Sequence, residues 1–247
     1  MRTHRVYCKY VSGPNEKFQI DESQSRHLIK ALRLKEGNLV EVFDGDGKSA
    51  SCKIIKISKK LIDVERVEEL KYDTLPKRLL ITIVPIIKKN NFSFMIQKLA
   101  EIGVNKFIIY RPDLIDQSVA KKDITKMVNK SHEILINVLK QCGNNFIPEI
   151  LKTDSLEEAM ILEKDTTEMY SFDTEASQYF NQDGLDENSS ITIITGPESG
   201  FSDKELKMIK MYKVKERYLG QNILRAETAP IYVSSLIKNH FGKITKL

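Results

Sequence analysis

With 247 residues, 41% of them hydrophobic and 30% charged, the chain is long enough to bury a core without covalent staples and reads as soluble and globular. Its three cysteines (Cys8, Cys52, Cys142) and four histidines (His4, His27, His132, His240) are dispersed without CxxC or metal-ligand spacing. That speaks against a disulfide framework and a zinc site. No stretch reaches membrane-spanning length and MRTHRVYCKY lacks the apolar core of a signal peptide, so a cytoplasmic protein without metal or membrane is expected. The net charge of +5 is uneven: residues 154–187 hold eleven acids and one lysine, leaving 38 basic and 23 acidic residues elsewhere, a net +15. Such a remainder favours a polyanionic partner, although abundant lysine also serves solubility alone.

Residues 1–73 read as short strands: RVYCKY, KFQI, NLVEVFDG, SASCKIIKI and KLIDVERVEEL. The turn DGDGK between two alternating segments predicts a hairpin. A helical insert, SRHLIKALRL, is expected to end near Gly37 as its C-cap. The expectation is a small β-barrel-like domain over 1–73.

After Tyr72-Asp73-Thr74-Leu75-Pro76 the period changes, and residues 74–247 alternate strands with helices. RLLITIVP, KFIIY, MYSFD, SITIIT and VKERYLG read as strands. FSFMIQKLAEIG, residues 123–140, 156–162, 202–211 and 225–240 read as helices. Strands separated by helices imply an α/β domain with a mostly parallel sheet covered on both faces, and a ligand at the carboxyl ends of the strands. Three loops compete for that place: those after Ile194, after Tyr218 and after Asp173. Neither GxGxxG nor GxxxxGK[ST] is present, so no dinucleotide turn or P-loop is supported.

The loop TGPESGF (195–201) followed by LGQNILRAETA (219–229) resembles the C-terminal signature of the SPOUT class of S-adenosylmethionine-dependent RNA methyltransferases. The resemblance is closest to the family of 16S ribosomal RNA uridine-N3 methyltransferases, and it extends along nearly the whole chain. HLIKALRLKEGNLVEVFDGDG is similar to that family's N-terminal PUA-like domain, and QKLAEIGVNKFIIY and QCGNNFIP to its middle motifs. The resemblance implies a PUA-like RNA-binding barrel over 1–73 and a SPOUT α/β domain over 74–247 whose C-terminal part is tied in a deep trefoil knot. It also implies S-adenosylmethionine as cofactor, 16S rRNA of the small ribosomal subunit as partner, and a homodimer. The chain departs from the family pattern at three positions: Ser199 where a second glycine is common, and Asn144 and Gln117 where arginines are.

On this resemblance Thr195, Gly196, Pro197, Glu198, Gly200, Leu219, Gly220, Ile223, Leu224 and Thr228 are the expected cofactor-binding residues. Uracil N3 is a poor nucleophile until its proton leaves, and the negative charge then spreads over O2 and O4, where a fixed cation lowers the barrier. Arg225 is the candidate cation, Glu227 and equally Glu198 are candidate bases, and hydroxide or water could suffice instead; Arg225 could also simply pair with Glu227 or Glu198. Arg2, Arg5, Arg26, His27, Lys30 and Arg33 are the candidate RNA-binding residues, with Arg26, Lys30 and Arg33 on one helical face. A ribose 2′-O methyltransferase of the same class and a non-catalytic RNA-binding or assembly protein are the competing readings.

Overall fold

The structure is a computed structural model that describes residues 3–121, 124–165 and 167–244, so the candidate Arg2 lies outside the described residues. The chain forms two compact units, residues 1–75 with 136–147, and residues 76–135 with 148–247.

The first unit is built on a sheet of six strands: β1 (His4–Tyr7), β2 (Lys17–Ile20), β3 (Leu39–Phe43), β4 (Lys48–Ile57), β5 (Ile62–Arg66) and β6 (Lys71–Tyr72). Their order is β1-β3-β4-β5-β2, with β6 also on β4; β1 runs parallel to β3 and the other pairs are antiparallel. The DGDG turn closes the β3–β4 hairpin as expected. Alternation aims Val40, Val42, Cys52, Ile54, Ile62 and Val64 into one core, closed by Leu28 and Val11.

Three local details differ from the sequence reading. The expected single helix is a short α1 (Glu22–Arg26), capped by the Asp21 carboxylate, that passes into a π turn over His27–Ala31. Because the turn has ended by Leu32, Arg33 falls outside it in the left-handed region (φ 53°) and shares no helical face with Arg26 and Lys30. Gly37 caps no helix; its N–H donates to the carbonyl of Ile54. Residues 136–147 group with this unit because Phe146 bridges to Asp46 and Asn145 bonds Ser49 and Asp73. A side chain at Gly47 would place its Cβ 2.4 Å from the Phe146 ring, so this docking requires glycine there.

The second unit carries β7 (Leu80–Pro85), α2 (Lys89–Ile102), β8 (Lys106–Tyr110), α3 (Gln117–Ala120), α4 (Ile124–Cys142, whose last turns belong to the first unit), β9 (Glu149–Thr153) and α5 (Leu156–Ile161). It continues through β10 (Glu168–Phe172), β11 (Ile191–Thr195), α6 (Asp203–Met211), β12 (Lys215–Arg217) and α7 (Thr228–Ile244). β9 and α3 are additions to the expected elements. Every pairing is parallel, in the order β12-β10-β11-β7-β8-β9. β7 (LITIVP) and β11 (ITIIT) are buried at every position, as central strands covered on both faces must be. Ile81 and Ile83 join a cluster with Leu156, Ala159 and Met160 of α5 and Ile209 of α6. α7 packs on β7, β11 and α2, which places it against the alternate residues Leu80, Thr82 and Val84.

Candidate active site

β12, β10, β11 and β7 are four neighbours in the sheet, and the segments leaving their carboxyl ends enclose one cleft of about 660 Å³. Its walls are Phe172–Thr174 after β10, Thr195–Phe201 after β11, and most of Tyr218–Glu227 after β12. Lys88 and Asn91, where β7 passes into α2, complete it. This is where a parallel sheet receives a ligand, because loops converge there and strand ends leave backbone polar groups free. All three competing loops contribute.

The glycine-rich loop is held tightly. The Gly200 N–H donates to the carbonyl of Pro197 at 3.0 Å and closes a turn, with Gly200 at φ 75°, a conformation that costs other residues on the order of 1 kcal/mol. Ser199, the departure from the family pattern, donates its hydroxyl to the carbonyl of Leu114 at 3.0 Å. Ser202 forms a capping box with Glu205 at the start of α6 and donates to Asp113 at 2.7 Å, while the Asp113 N–H donates to Glu205 at 3.2 Å. Two loops, 111–116 and 196–205, are thereby tied together.

Of the expected cofactor residues, Thr195, Gly196, Pro197, Glu198, Gly200, Leu219, Gly220, Ile223 and Leu224 all line the cleft. Thr228 does not: it is exposed as the first residue of α7, and only its N–H is engaged, by the Arg225 carbonyl. Helix α7 begins later than expected, so Arg225 sits in the turn before it, its carbonyl accepting from Thr228 (2.8 Å) and Ala229 (3.0 Å). Arg225 and Glu227 both line the cleft. Among the described residues Arg225 and Glu227 do not pair with each other and Arg225 does not pair with Glu198: the Arg225 side chain is exposed and unpaired, while Glu227 is 8% exposed with no partner for Oε2. Thr195 Oγ1 is likewise buried and unpartnered. Phe172, Lys88 and Asn91 are lining residues that sequence reasoning did not single out, while Asp173, Thr174 and Tyr218 lie where two of the competing loops begin.

The residues present fit S-adenosylmethionine. A cleft of this volume is of the size that takes a nucleoside-sized ligand. Ile223, 83% exposed, is an apolar side chain left in solvent on the wall, where an adenine ring would cover it. Glu227 Oε2 and Thr195 Oγ1 are buried polar atoms that a ligand can satisfy, and such atoms rarely stay unpaired in proteins without a reason. Among the described residues no group of three His, Cys, Asp or Glu could hold a metal ion.

In the first unit the RNA candidates separate. Arg5 is packed: its side chain is 7% exposed, stacks over Phe43, pairs with Glu41 at 3.7 Å and donates to Asn145 and to the carbonyl of Asn144. It belongs to the docking of residues 144–147, not to an open RNA surface. Arg26 is exposed and bonded to Glu22 at 2.9 Å; Lys30 and Arg33 are exposed. His27 is exposed, its pKa pushed down first by partial burial and then by Lys140 and His4. The structure brings Lys59 and Lys60, from the β4–β5 turn, beside Arg26 and Lys30 around a hollow of about 260 Å³. This grouping is invisible in the linear order.

A family profile described as an RNA methyltransferase domain matches residues 74–238, and one described as an RNA methyltransferase PUA domain matches residues 20–65. A protein named ribosomal RNA small subunit methyltransferase E from Mesomycoplasma hyopneumoniae is 26% identical over 92% of this chain and 97% of its own length. A Legionella pneumophila protein solved with its SAM cofactor bound superposes with a TM-score of 0.87 at 24% identity, covering 97% of this chain and 98% of its own. A ribosomal RNA small subunit methyltransferase E from Neisseria gonorrhoeae, bound to S-adenosyl methionine, superposes at 0.84 with 21% identity, covering 96% and 98%. Both solved structures match nearly the whole of this chain, which shows a shared fold.

Proposed function

The chain belongs to the RNA methyltransferase family, and we propose that it uses S-adenosylmethionine to methylate N3 of a uridine in the 16S ribosomal RNA of the small subunit. The observation that carries the reading is a buried carboxylate with a free oxygen, Glu227, two residues from an exposed, unpaired guanidinium, Arg225, in a cleft at the carboxyl edge of a parallel sheet.

When bound, the cofactor supplies an electrophilic methyl group. The chain has to orient the uracil ring, remove the N3 proton and bear the resulting charge. Glu227 accepts the N3 proton at Oε2, and Arg225 donates to O2 or O4 as negative charge spreads onto them. Thr195, Gly196 and Gly200 would offer polar backbone and a hydroxyl to the cofactor's polar groups, and Ile223 and Leu224 an apolar wall to its base. Holding both reactants in line accounts for much of the acceleration, because a bimolecular encounter becomes an internal one.

The same reading assigns RNA binding to residues 1–73, through Arg26, Lys30 and their neighbours Lys59 and Lys60, and catalysis to residues 74–247. It takes the C-terminal segment as a deep trefoil knot, supported by the meeting of the loops after β11 and β12 in one cleft and the return of α7 across β7 and β11. It extends to a cytoplasmic homodimer: Phe94 of α2 and Tyr232 of α7, 48% and 40% exposed, lie on two helices that pack together, and Ile231 and Leu236 are half-buried. A scattering mass near 28.4 kDa would remove the dimer. Among the described residues no helix is long and apolar enough to cross a membrane.

The test is incubation with S-adenosylmethionine and small-subunit rRNA, followed by mass spectrometry of the digested nucleosides. N3-methyluridine is expected; a ribose-methylated product, or none while RNA still binds, overturns the reading.

A further inference from the structure

Resting on that reading, we infer that Lys88 anchors a backbone phosphate of the RNA strand carrying the target uridine. Among the described residues that line the cleft two are cations, Lys88 and Arg225. Lys88 enters the cleft from the connection between β7 and α2, and Arg225 from the segment between β12 and α7. With Arg225 attending the reacting ring, Lys88 is the second cation of the cleft and is left for the strand that flanks that ring.

Lys88 is held in place from outside the cleft. Its Nζ lies 3.3 Å from Asp116 Oδ2, and Asp116 also accepts from the N–H and hydroxyl of Ser118. Those contacts hold the Asp116 carboxyl down at about 2, so it stays charged at any working pH. The Lys88 side chain is 57% exposed and that of Asp116 38%, and a pair so exposed contributes little to stability. Asp116 engages one of the three ammonium donors and leaves the others for a ligand. The loop carrying Asp116 is in turn bonded to the cofactor loop through Leu114 with Ser199 and through Asp113 with Ser202, so the anchor is registered to the site.

The ligand is a phosphate and not the cofactor's carboxylate. A rim ammonium with most of its surface in water suits a solvated backbone group that arrives with the substrate, whereas the partnerless polar atoms at Thr195 and Glu227 are buried. An ammonium acts on phosphate as a point charge, so its contribution is salt-dependent and indifferent to base sequence.

The experiment measures binding of a small-subunit rRNA transcript across a range of salt, with S-adenosylmethionine affinity followed by calorimetry. Lys88→Ala should lower the slope of log affinity against log salt by about one phosphate's worth, ~0.7 to 0.9, with cofactor affinity unchanged. Lys88→Arg should restore the slope, and Asp116→Asn should weaken RNA binding while keeping it. An unchanged slope in Lys88→Ala with intact cofactor binding overturns the inference, as does a loss of cofactor affinity with RNA binding intact, which would assign Lys88 to the cofactor. A wild-type chain that fails to bind S-adenosylmethionine overturns instead the methyltransferase reading on which the inference rests.

Discussion

The phenol of Tyr110 donates a hydrogen bond of 3.1 Å to the carbonyl of Thr195. Tyr110 ends β8 and Thr195 ends β11, with β7 between them, so the bond ties the sheet's carboxyl edge together beneath the cleft. Tyr110 is fully buried, and burial, with Glu205 and Asp113 nearby, pushes its phenol well above the usual range, so it remains a donor. Tyr110→Phe leaves a buried carbonyl short of a partner and should cost about 1–3 kcal/mol. Urea unfolding should also be accompanied by weaker S-adenosylmethionine binding, because Thr195 is part of the cleft wall. A variant as stable as the wild type would show that water replaces the phenol.

Glu227 has two candidate partners for its free oxygen, the N3 proton of the substrate and an amino group of the cofactor, and Glu227→Gln separates them. The amide keeps shape and burial but cannot take a proton. Loss of a general base should lower the single-turnover rate by about 10²-fold or more with cofactor affinity retained. A fall in affinity at an unchanged rate would make Glu227 a cofactor ligand.

The strands of the second unit were legible because LITIVP and ITIIT are continuous apolar runs, which only a sheet covered on both faces requires. The TGPESGF and LGQNILR loops were legible as a resemblance, and they fall on one cleft. What periodicity could not reveal was register and convergence. Lys59 and Lys60 meet Arg26 and Lys30 only once β4 and β5 pair, and Lys88 meets the glycine-rich loop only because β7 lies beside β11. Arg5 reads as an RNA-binding cation in the sequence because basic residues cluster near the start of the chain. Its burial depends on Asn144 and Asn145, which lie far along the chain. The helical face drawn through Arg33 failed at a backbone detail, the π turn that ends before it.

The cysteines offer a test of the first unit's core. Cys8 and Cys52 are buried in it, and burial pushes their thiols up to about 11 and about 12, whereas Cys142 is exposed at the end of α4. A thiol reagent at neutral pH should label Cys142 quickly and the other two only on unfolding, because the thiolate is the reactive form. Both pKa values are raised on folding, so the unfolded chain loses protons first. The associated stability is complete below pH 9 and declines as pH rises through about 11 and 12. Fast labelling of all three sites in the native protein would mean that this core opens readily.

Arg225 should act on catalysis more than on folding. Its side chain is exposed and meets neither Glu198 nor Glu227, so truncation removes no ion pair, and the carbonyl that receives Thr228 and Ala229 is supplied by any residue. On the proposed reading its position on the cleft wall, two residues from the buried Glu227, would set a guanidinium against the uracil oxygens that gain charge as N3 loses its proton. Arg225→Ala should therefore leave the melting temperature and S-adenosylmethionine affinity near wild type. The single-turnover methylation rate should fall by about 10²-fold, the scale of losing one transition-state donor. Arg225→Lys keeps the charge but loses the fork that meets a ring oxygen with two donors, so it should recover only part of the rate. A variant that methylates at the wild-type rate would move the role of charge bearer to backbone N–H groups of the glycine-rich loop. One that unfolds would return Arg225 to the structure.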